Sequence, residues 1–387
     1  MISMKVFGFS FAMVLLITSC GKTGQAQKDN YKGEPRYPQP PASILPAASA
    51  FHPEELLPDS QQQKLNSLID GIVSDKKVVG VSATVLSPKG MWTAQKGYKN
   101  KEQDIAVDGS TVFYWASVGK LLTGIVIQQL ILEKKLSLTD GLDKWYPSIQ
   151  DAKKITIKQL LNHTSGLYSF NADSTIHYNN GYIQPEELLR VAQSHKNLYK
   201  PGEYWAYTNT GYLLLALIAE RIESQPFNKI VADRIAIPLQ LTSLKVLSPD
   251  ETPADLALAH AGQRVTPMSY SMPLGAGNIV SNGRDMTLLL YHLLSGKILP
   301  MPVVHGMLAE LYPMFGTNFQ YYGQGVMLYD FSRANQPLGI WIGHAGGAEN
   351  YKAFVCYHTN SQTFISVAIN QDAPAEALAF NIIKLLE

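Results

Sequence analysis

Strand-forming sequence stands at both ends of this chain and is nearly missing from its middle, which limits the folds open to it. Toward the N-terminus, "VVGVSATVLSPKGMWTAQKGY" (Val78 to Tyr98) holds two β-rich runs around Ser87-Pro88-Lys89-Gly90, a hairpin. Toward the C-terminus, "GQGVMLYD", "LGIWIGHAGG" and "NYKAFVCYHTNSQTFISVAIN" restore strands, and "APAEALAFNIIKLLE" closes with a helix. Between them, from about Thr111 to Leu294, the sequence is mostly helical and loop. This pattern predicts an α/β protein of the α+β type, with one antiparallel sheet assembled from both ends, flanking helices and a helical lobe inserted between the strands. A cleft between sheet and lobe is the natural place for a site.

The folded part is predicted to cover residues 59–387. It opens with the helical "DSQQQKLNSLIDGIVSD", in which Leu65, Leu68, Ile69 and Ile72 share a face and Asp59 or Ser60 can cap. Before it, residues 21–58 are polar and then Pro-rich without a helical or strand period, as in a tether. Residues 1–20, MISMKVFGFSFAMVLLITSC, have one Lys, an apolar stretch from Val6 to Ile17 and small residues before Cys20, the pattern of a secretory signal. Ile17-Thr18-Ser19-Cys20 resembles a bacterial lipobox, which implies lipidation of Cys20 and a lipid anchor at a membrane of the cell envelope. The plainer alternative is an ordinary signal cut nearby. Cys356, the other of the two cysteines, then has no disulfide partner and reads as a buried, inert thiol.

A net charge of +1, from 32 basic and 31 acidic residues with no Lys/Arg run, argues against a nucleic-acid partner. No His-Glu-x-x-His, Cys-x-x-Cys or Gly-x-x-x-x-Gly-Lys-Ser/Thr occurs, so neither a metal nor a nucleotide cofactor is expected. Absence of Gly-x-Ser-x-Gly counts against an α/β-hydrolase. Most of the nine histidines, His163 in "NHTSG" among them, read as turn or surface residues. Tyr178, Tyr182, Tyr321 and Tyr322 could line a cleft or simply pack.

The chemistry candidates begin with Ser117 and Lys120, three residues apart where an apolar helix starts in "YWASVGKLLTGIVIQQLIL". A helix N-terminus favours negative charge on the hydroxyl oxygen, and Lys120 lies one turn on along the same face. Ser-x-x-Lys alone is weak evidence, since it recurs at Ser19 to Lys22 and Ser74 to Lys77. Two further groups strengthen it: Tyr207-Thr208-Asn209 ahead of another apolar helix, and His344-Ala345-Gly346 entering a strand.

In this order the three motifs resemble the signatures of the penicillin-recognising serine hydrolases, within them the branch of class C β-lactamases, D-alanyl-D-alanine carboxypeptidases and esterases. The likeness runs from about residue 60 through "ITIKQLLNHTSGL", "PLGAGNIVSNGRDMTLLL", "YYGQGVML" and "HTNSQTFISVAIN". It implies a β-lactamase/transpeptidase-like fold and acyl transfer, with Ser117 as nucleophile and Lys120 and Tyr207 sharing the role of base. It further implies Asn209 holding Lys120 or a substrate amide, His344 in the third motif, and an oxyanion hole from backbone amides of Ser117 and Gly347, beside Gly346. An unperturbed lysine is protonated at pH 7, and neutralising it there costs about 4.6 kcal/mol, so the phenol of Tyr207 is the natural acceptor of the Ser117 proton.

Two features bear on substrate. β-Lactamases of this branch usually carry lysine where His344 stands, so a neutral His344 predicts weak β-lactam turnover. Glu349-Asn350 replaces a Pro-Gly common among relatives. The resemblance therefore implies a small-molecule or peptide substrate, either an ester or a D-amino-acid peptide or amide. A lipid-anchored binding protein of the same fold that does not turn over is the alternative class. The expectation for assembly is a monomer.

Overall fold

The computed structural model describes residues 37–75, 77–177 and 181–387. The expected signal sequence and Cys20 lie outside the described residues, as does Tyr178. Helix α1 (Asp59–Ser74) leads into strands β1 (Gly80–Ser87), β2 (Gly90–Asn100) and β3 (Ile105–Ala106). The lobe follows with β4 (Phe113–Tyr114) and helices α2 (Lys120–Leu132), α3 (Ile157–Leu161), α4 (Pro185–Ser194), α5 (Asn209–Glu223) and α6 (Phe227–Val231). Short strands β5 (Lys245–Val246), β6 (His260–Ala261), β7 (Arg264–Val265) and β8 (Ile279–Ser281) precede α7 (Gly283–Leu294) and α8 (Met301–Gly306). Strands β9 (Tyr312–Pro313), β10 (Gln320–Tyr322), β11 (Met327–Asp330), β12 (Ile340–Ala348), β13 (Tyr351–His358) and β14 (Thr363–Ile369) then run to the closing helix α9 (Ala375–Leu386).

Nine of these strands form one antiparallel sheet in the order β3-β2-β1-β14-β13-β12-β11-β10-β9. The two ends of the chain meet at its centre, where β1 pairs with β14 from Val81↔Ile369 to Leu86↔Phe364. The predicted hairpin closes at Ser87↔Gly90.

Both faces of the central strands are covered, and β1 and β14 are buried throughout. Val81, Ala83 and Val85 alternate with Ser82 and Thr84, so one face is apolar and the other carries small hydroxyls. On the hydroxyl face lies α7: Gly283 N–H donates to Ser82 Oγ at 3.0 Å, and Thr287 Oγ1 donates to Ser366 Oγ at 2.8 Å. A Cβ at Gly283 would come within 2.9 Å of both the Ser82 and Thr84 oxygens, so only glycine allows this approach. The other face packs against α9, whose Phe380 meets Trp341 edge-on with ring centroids 5.0 Å apart.

Two local expectations are corrected. Asp59 opens α1 without capping it; Pro58 precedes the helix and its carbonyl accepts from the amides of Gln61 and Gln62. The tether expected over residues 21–58 is, from Tyr37 onward, a strap laid on the folded part. Tyr37, Leu45, Phe51 and Leu57 are buried, and Phe51 packs on Tyr291 and Phe364. Its prolines suppress helix and strand, but apolar side chains spaced between them still gain burial, at about 1.5–3 kcal/mol for a fully buried large residue.

Candidate active site

Ser117 lies in the 3-10 turn Ala116–Gly119 that runs directly into α2. Ahead of it, Ala116 adopts a positive φ of 46°, the left-handed region uncommon for a residue with a side chain. Trp115 fixes the turn, its N–H donating to Ile279 O at 3.0 Å and its indole N–H to Ser281 O at 2.9 Å. Gly277 packs so closely that a Cβ there would lie 2.9 Å from the Ala116 carbonyl carbon.

Lys120 is fully buried at the start of α2. Its Nζ donates to Ser117 Oγ at 3.2 Å, to Asn209 Oδ1 at 2.8 Å and to the Ala276 carbonyl at 2.7 Å. Three acceptors around Nζ suit an ammonium, which has three N–H groups to donate. The same nitrogen sits 4.8 Å from the centroid of the Tyr207 ring. Serine and lysine from the start of the lobe sequence, and tyrosine and asparagine from near its middle, thus share one centre.

Asn209 is the first residue of α5 and is oriented by three contacts. Its side-chain oxygen faces Lys120, its Nδ2 donates to Asn171 Oδ1 at 3.0 Å, and its backbone N–H donates to Ser169 Oγ at 2.9 Å. Ser169 Oγ also donates to Asn171 Oδ1 at 2.7 Å, so the Asn171 oxygen receives two donors and fixes which way the Asn209 amide points.

His344 enters from β12, on the strand face turned toward the lobe. Nδ1 donates to Ala345 O at 2.6 Å, and Nε2 lies 3.1 Å from the Tyr322 hydroxyl. That hydroxyl donates to Tyr212 OH at 3.2 Å, which in turn donates to Leu161 O at 2.7 Å. Burial first, and the Lys120 charge second, push the His344 imidazole down to about 3, so it is neutral at physiological pH. His163 is lowered for the same two reasons, with His344 a further contributor. Two residues past His344 on the same strand face, Gly346 lies so close to the nucleophile's turn that a Cβ would fall 2.2 Å from Trp115 O. Gly347 is next in the strand, opposite Lys352 on β13. Pairing with β11 ends at Met327↔Gly343, so among the described residues no strand pairs with His344 to Ala348 on the β11 side of β12. An unpaired strand edge of this kind can hold an extended substrate by main-chain hydrogen bonds.

The sequence profile of the beta-lactamase family matches residues 65–386. The chain belongs to that family. Among curated relatives, the protein flp of Staphylococcus aureus (strain MW2) is 30% identical over 194 residues, 48% of this chain and 38% of flp. A teichoic acid D-alanine hydrolase of Staphylococcus aureus is 28% identical over 229 residues, 56% of this chain and 55% of the hydrolase. The matched region thus spans about half or less of each of these two relatives. Among solved structures, the D-amino acid amidase of Ochrobactrum anthropi SV3 superposes with a TM-score of 0.75 at 22% identity, covering 84% of this chain and 98% of the amidase. The fold is therefore the β-lactamase/transpeptidase-like one that the family resemblance implied.

Of the residues singled out in the sequence, Ser117, Lys120 and Asn209 are hydrogen-bonded together, the Tyr207 ring stands beside the ammonium, and β12 brings His344 and Gly346 against them. A second His-Ala-Gly, at His260 to Gly262, forms part of the small β6–β7 hairpin instead. Cys356 is buried with its thiol pushed up by burial, as expected. His163 is a correction in part: it stands in a turn, as read, but is fully buried and not at the surface, its ring 4.3 Å from that of Tyr207 and 4.4 Å from that of Tyr322. The apolar neighbours that bury it, Trp205 and Tyr322, lie far away in sequence, so nothing beside His163 announced them. Tyr321 and Tyr322 are core residues, only the second facing the site. Asn171 and the Ala276 carbonyl were not anticipated, the carbonyl because main chain leaves no mark in sequence.

Proposed function

We propose that the protein is a serine hydrolase that cleaves esters or amides of D-amino acids through an acyl-enzyme on Ser117. The observation that carries this reading is the Lys120 ammonium hydrogen-bonded to both Ser117 Oγ and Asn209 Oδ1 with the Tyr207 ring beside it. The relatives' names favour the same chemistry, since one is a D-alanine hydrolase and another a D-amino acid amidase.

Tyr207, as phenolate beside the Lys120 cation, takes the proton from Ser117 Oγ as that oxygen bonds to the substrate carbonyl carbon. The carbonyl oxygen becomes an oxyanion, held by the backbone amides of Ser117 and Gly347; losing one such donor typically costs about 3–4 kcal/mol of transition-state stabilisation. Collapse of this intermediate breaks the bond to the leaving alcohol or amine, which receives the proton from Tyr207. Water then attacks the acyl-enzyme with Tyr207 again as base, freeing the acid and Ser117. Neutral His344 supplies no fixed positive charge for a substrate carboxylate, which favours esters and amides over β-lactams.

Mass spectrometry after treatment with p-nitrophenyl esters, a D-amino-acid amide, a D-Ala-D-Ala peptide or nitrocefin tests the reading. An acyl adduct on wild type, absent from Ser117→Ala, together with turnover of D-amino-acid esters or amides faster than of nitrocefin, is the expected result. No adduct dependent on Ser117 would exclude it. Nitrocefin turned over at the efficiency of dedicated β-lactamases would overturn the substrate assignment. We propose also that Cys20 carries the lipid of an envelope-anchored protein; Cys20→Ser should then move the full-length protein from the detergent phase to the aqueous phase.

A further inference from the structure

We propose that His163 is a positioning residue, the one that sets where the Tyr207 phenol stands; this rests on the reading of Tyr207 as the base. The amides on either side of Tyr207 both donate to His163: Ala206 N–H to its carbonyl at 3.1 Å, and Thr208 N–H to its ring Nδ1 at 3.2 Å. Tyr207 is therefore held at the residues before and after it by a single residue 44 positions earlier, and its own ring packs on the imidazole at 4.3 Å.

His163 is itself held firmly. Its φ of 64° is left-handed, and its carbonyl accepts a second bond from Tyr199 OH at 3.3 Å. The following turn receives the incoming chain as well, with Gly202 N–H donating to Thr164 O and Leu198 N–H to Gly166 O, each at 2.8 Å. The loop after α3 thus forms a cradle for the segment that delivers Tyr207.

Hydrogen-bond bookkeeping distinguishes this role from simple core packing. Because Nδ1 accepts, the ring proton is on Nε2, and that buried nitrogen has no hydrogen-bond partner among the described residues. A phenylalanine would fill the same aromatic box without the unpartnered Nε2–H, but it would take the acceptor from Thr208 N–H. What only the imidazole adds is the acceptor for the amide adjoining Tyr207. The role requires the neutral form, since a protonated Nδ1 would oppose the Thr208 N–H. The groups around the ring enforce that form: Tyr207, Tyr212, Tyr322 and Trp205 exclude water, the Lys120 ammonium from α2 disfavours a second cation, and His344 from β12, itself neutral, offers no compensating negative charge.

The test compares His163→Phe, which keeps ring packing, with His163→Asn, whose side-chain oxygen replaces Nδ1 and which tolerates a positive φ. With a p-nitrophenyl ester, His163→Phe should lower kcat about 30-fold with KM within about threefold and shift the acid limb of the kcat/KM profile. His163→Asn should restore kcat to within about threefold of wild type and return the limb. In a Tyr207→Phe background, adding His163→Phe should change kcat less than about twofold, because the group being positioned is gone. Equal impairment of both His163 variants, or an undiminished effect in the Tyr207→Phe background, would overturn the proposal. Wild-type activity of Tyr207→Phe alone would instead overturn the reading of Tyr207 as base, and the proposal with it. Should His163→Phe fail to fold, nitrogen NMR of the wild-type imidazole decides: Nδ1 unprotonated from pH 5 to 9 supports the assignment, and an Nδ1–H tautomer refutes it.

Discussion

The two walls of the cleft hold their groups by different means. On the sheet wall, His344, Gly346 and Gly347 belong to β12 and are fixed by an unbroken ladder to β13, from Trp341↔His358 to Ala348↔Tyr351. On the lobe wall, Tyr207 and Asn209 stand where a loop becomes α5, fixed by side chains of Ser169, Asn171 and His163. A ladder positions through the backbone and is insensitive to most side chains, yet it cannot yield where another backbone touches it. Side-chain bonds position residue by residue, and their loss should be graded.

Gly346 tests the sheet wall where it cannot yield. In Gly346→Ala the new Cβ would meet the Trp115 carbonyl at 2.2 Å, so β12 must draw away from the turn carrying Ser117. Because both amides of the proposed oxyanion hole lie on these two segments, kcat/KM for an ester should fall about 10²–10³-fold. Activity within tenfold of wild type would show that the ladder does not set this alignment.

On the lobe wall the expected losses are smaller and ordered. Asn209→Leu removes the acceptor 2.8 Å from Lys120 and should lower kcat about 100-fold, whereas Asn171→Leu only frees the Asn209 amide to turn and should lower it about 10-fold. Steady-state kinetics on both variants checks the order. If Asn171→Leu were the more damaging, side chains further from the chemistry would matter more than those touching it, and the graded picture would fail.

This contrast also explains what the sequence disclosed. Ser117, Lys120, Tyr207 and His344 were legible because each begins or enters a regular element, where apolar periodicity marks the boundary, and because they stand in a family order. That one sheet joins the two ends of the chain was legible from the strand-rich runs there, whereas the pairing of β1 with β14 at its centre was not. Asn171 and His163 were not legible either, since one lies in the short 3-10 turn Phe170–Ala172 and the other in a tight turn, where no period reveals burial. The strap was misread for a related reason. Proline content dominated that stretch, while the isolated Tyr37, Leu45 and Phe51 that bury it have no repeat to betray them.

One imidazole on each wall gives a stability test. His344 is pushed down to about 3 and His163 is also lowered, whereas both titrate near 6.5 in an unfolded chain. Between these values the unfolded state binds protons that the folded state refuses, so stability is complete above about pH 6.5 and is lost as pH falls. For His344 alone the loss at pH 5 is about 2 kcal/mol by linkage. His344→Gln should therefore flatten the decline of the urea midpoint between pH 7 and pH 5. An unchanged decline would mean that the strand does not hold this ring buried and neutral.

The smallest effect is expected at the outer edge of the sheet wall, where the strap joins it. Tyr37 bridges to Leu311 beside β9, its hydroxyl donates to Asp330 Oδ2 at 3.0 Å, and its ring packs against Tyr321 at 4.5 Å and under the Arg333 guanidinium. Tyr37→Phe deletes one hydrogen bond to a carboxylate that Arg333 and Ser332 still engage, which should lower stability by about 1 kcal/mol. The next strand inward, β10, carries Tyr322 against His344, so a loose wall would pass the disturbance on to the site. A wall held by its own ladder would not. The urea midpoint should therefore fall at unchanged m while kcat/KM stays within about twofold of wild type. A larger fall in kcat/KM would make the strap part of what holds His344, and the division between a ladder-held wall and a side-chain-held wall would have to be redrawn.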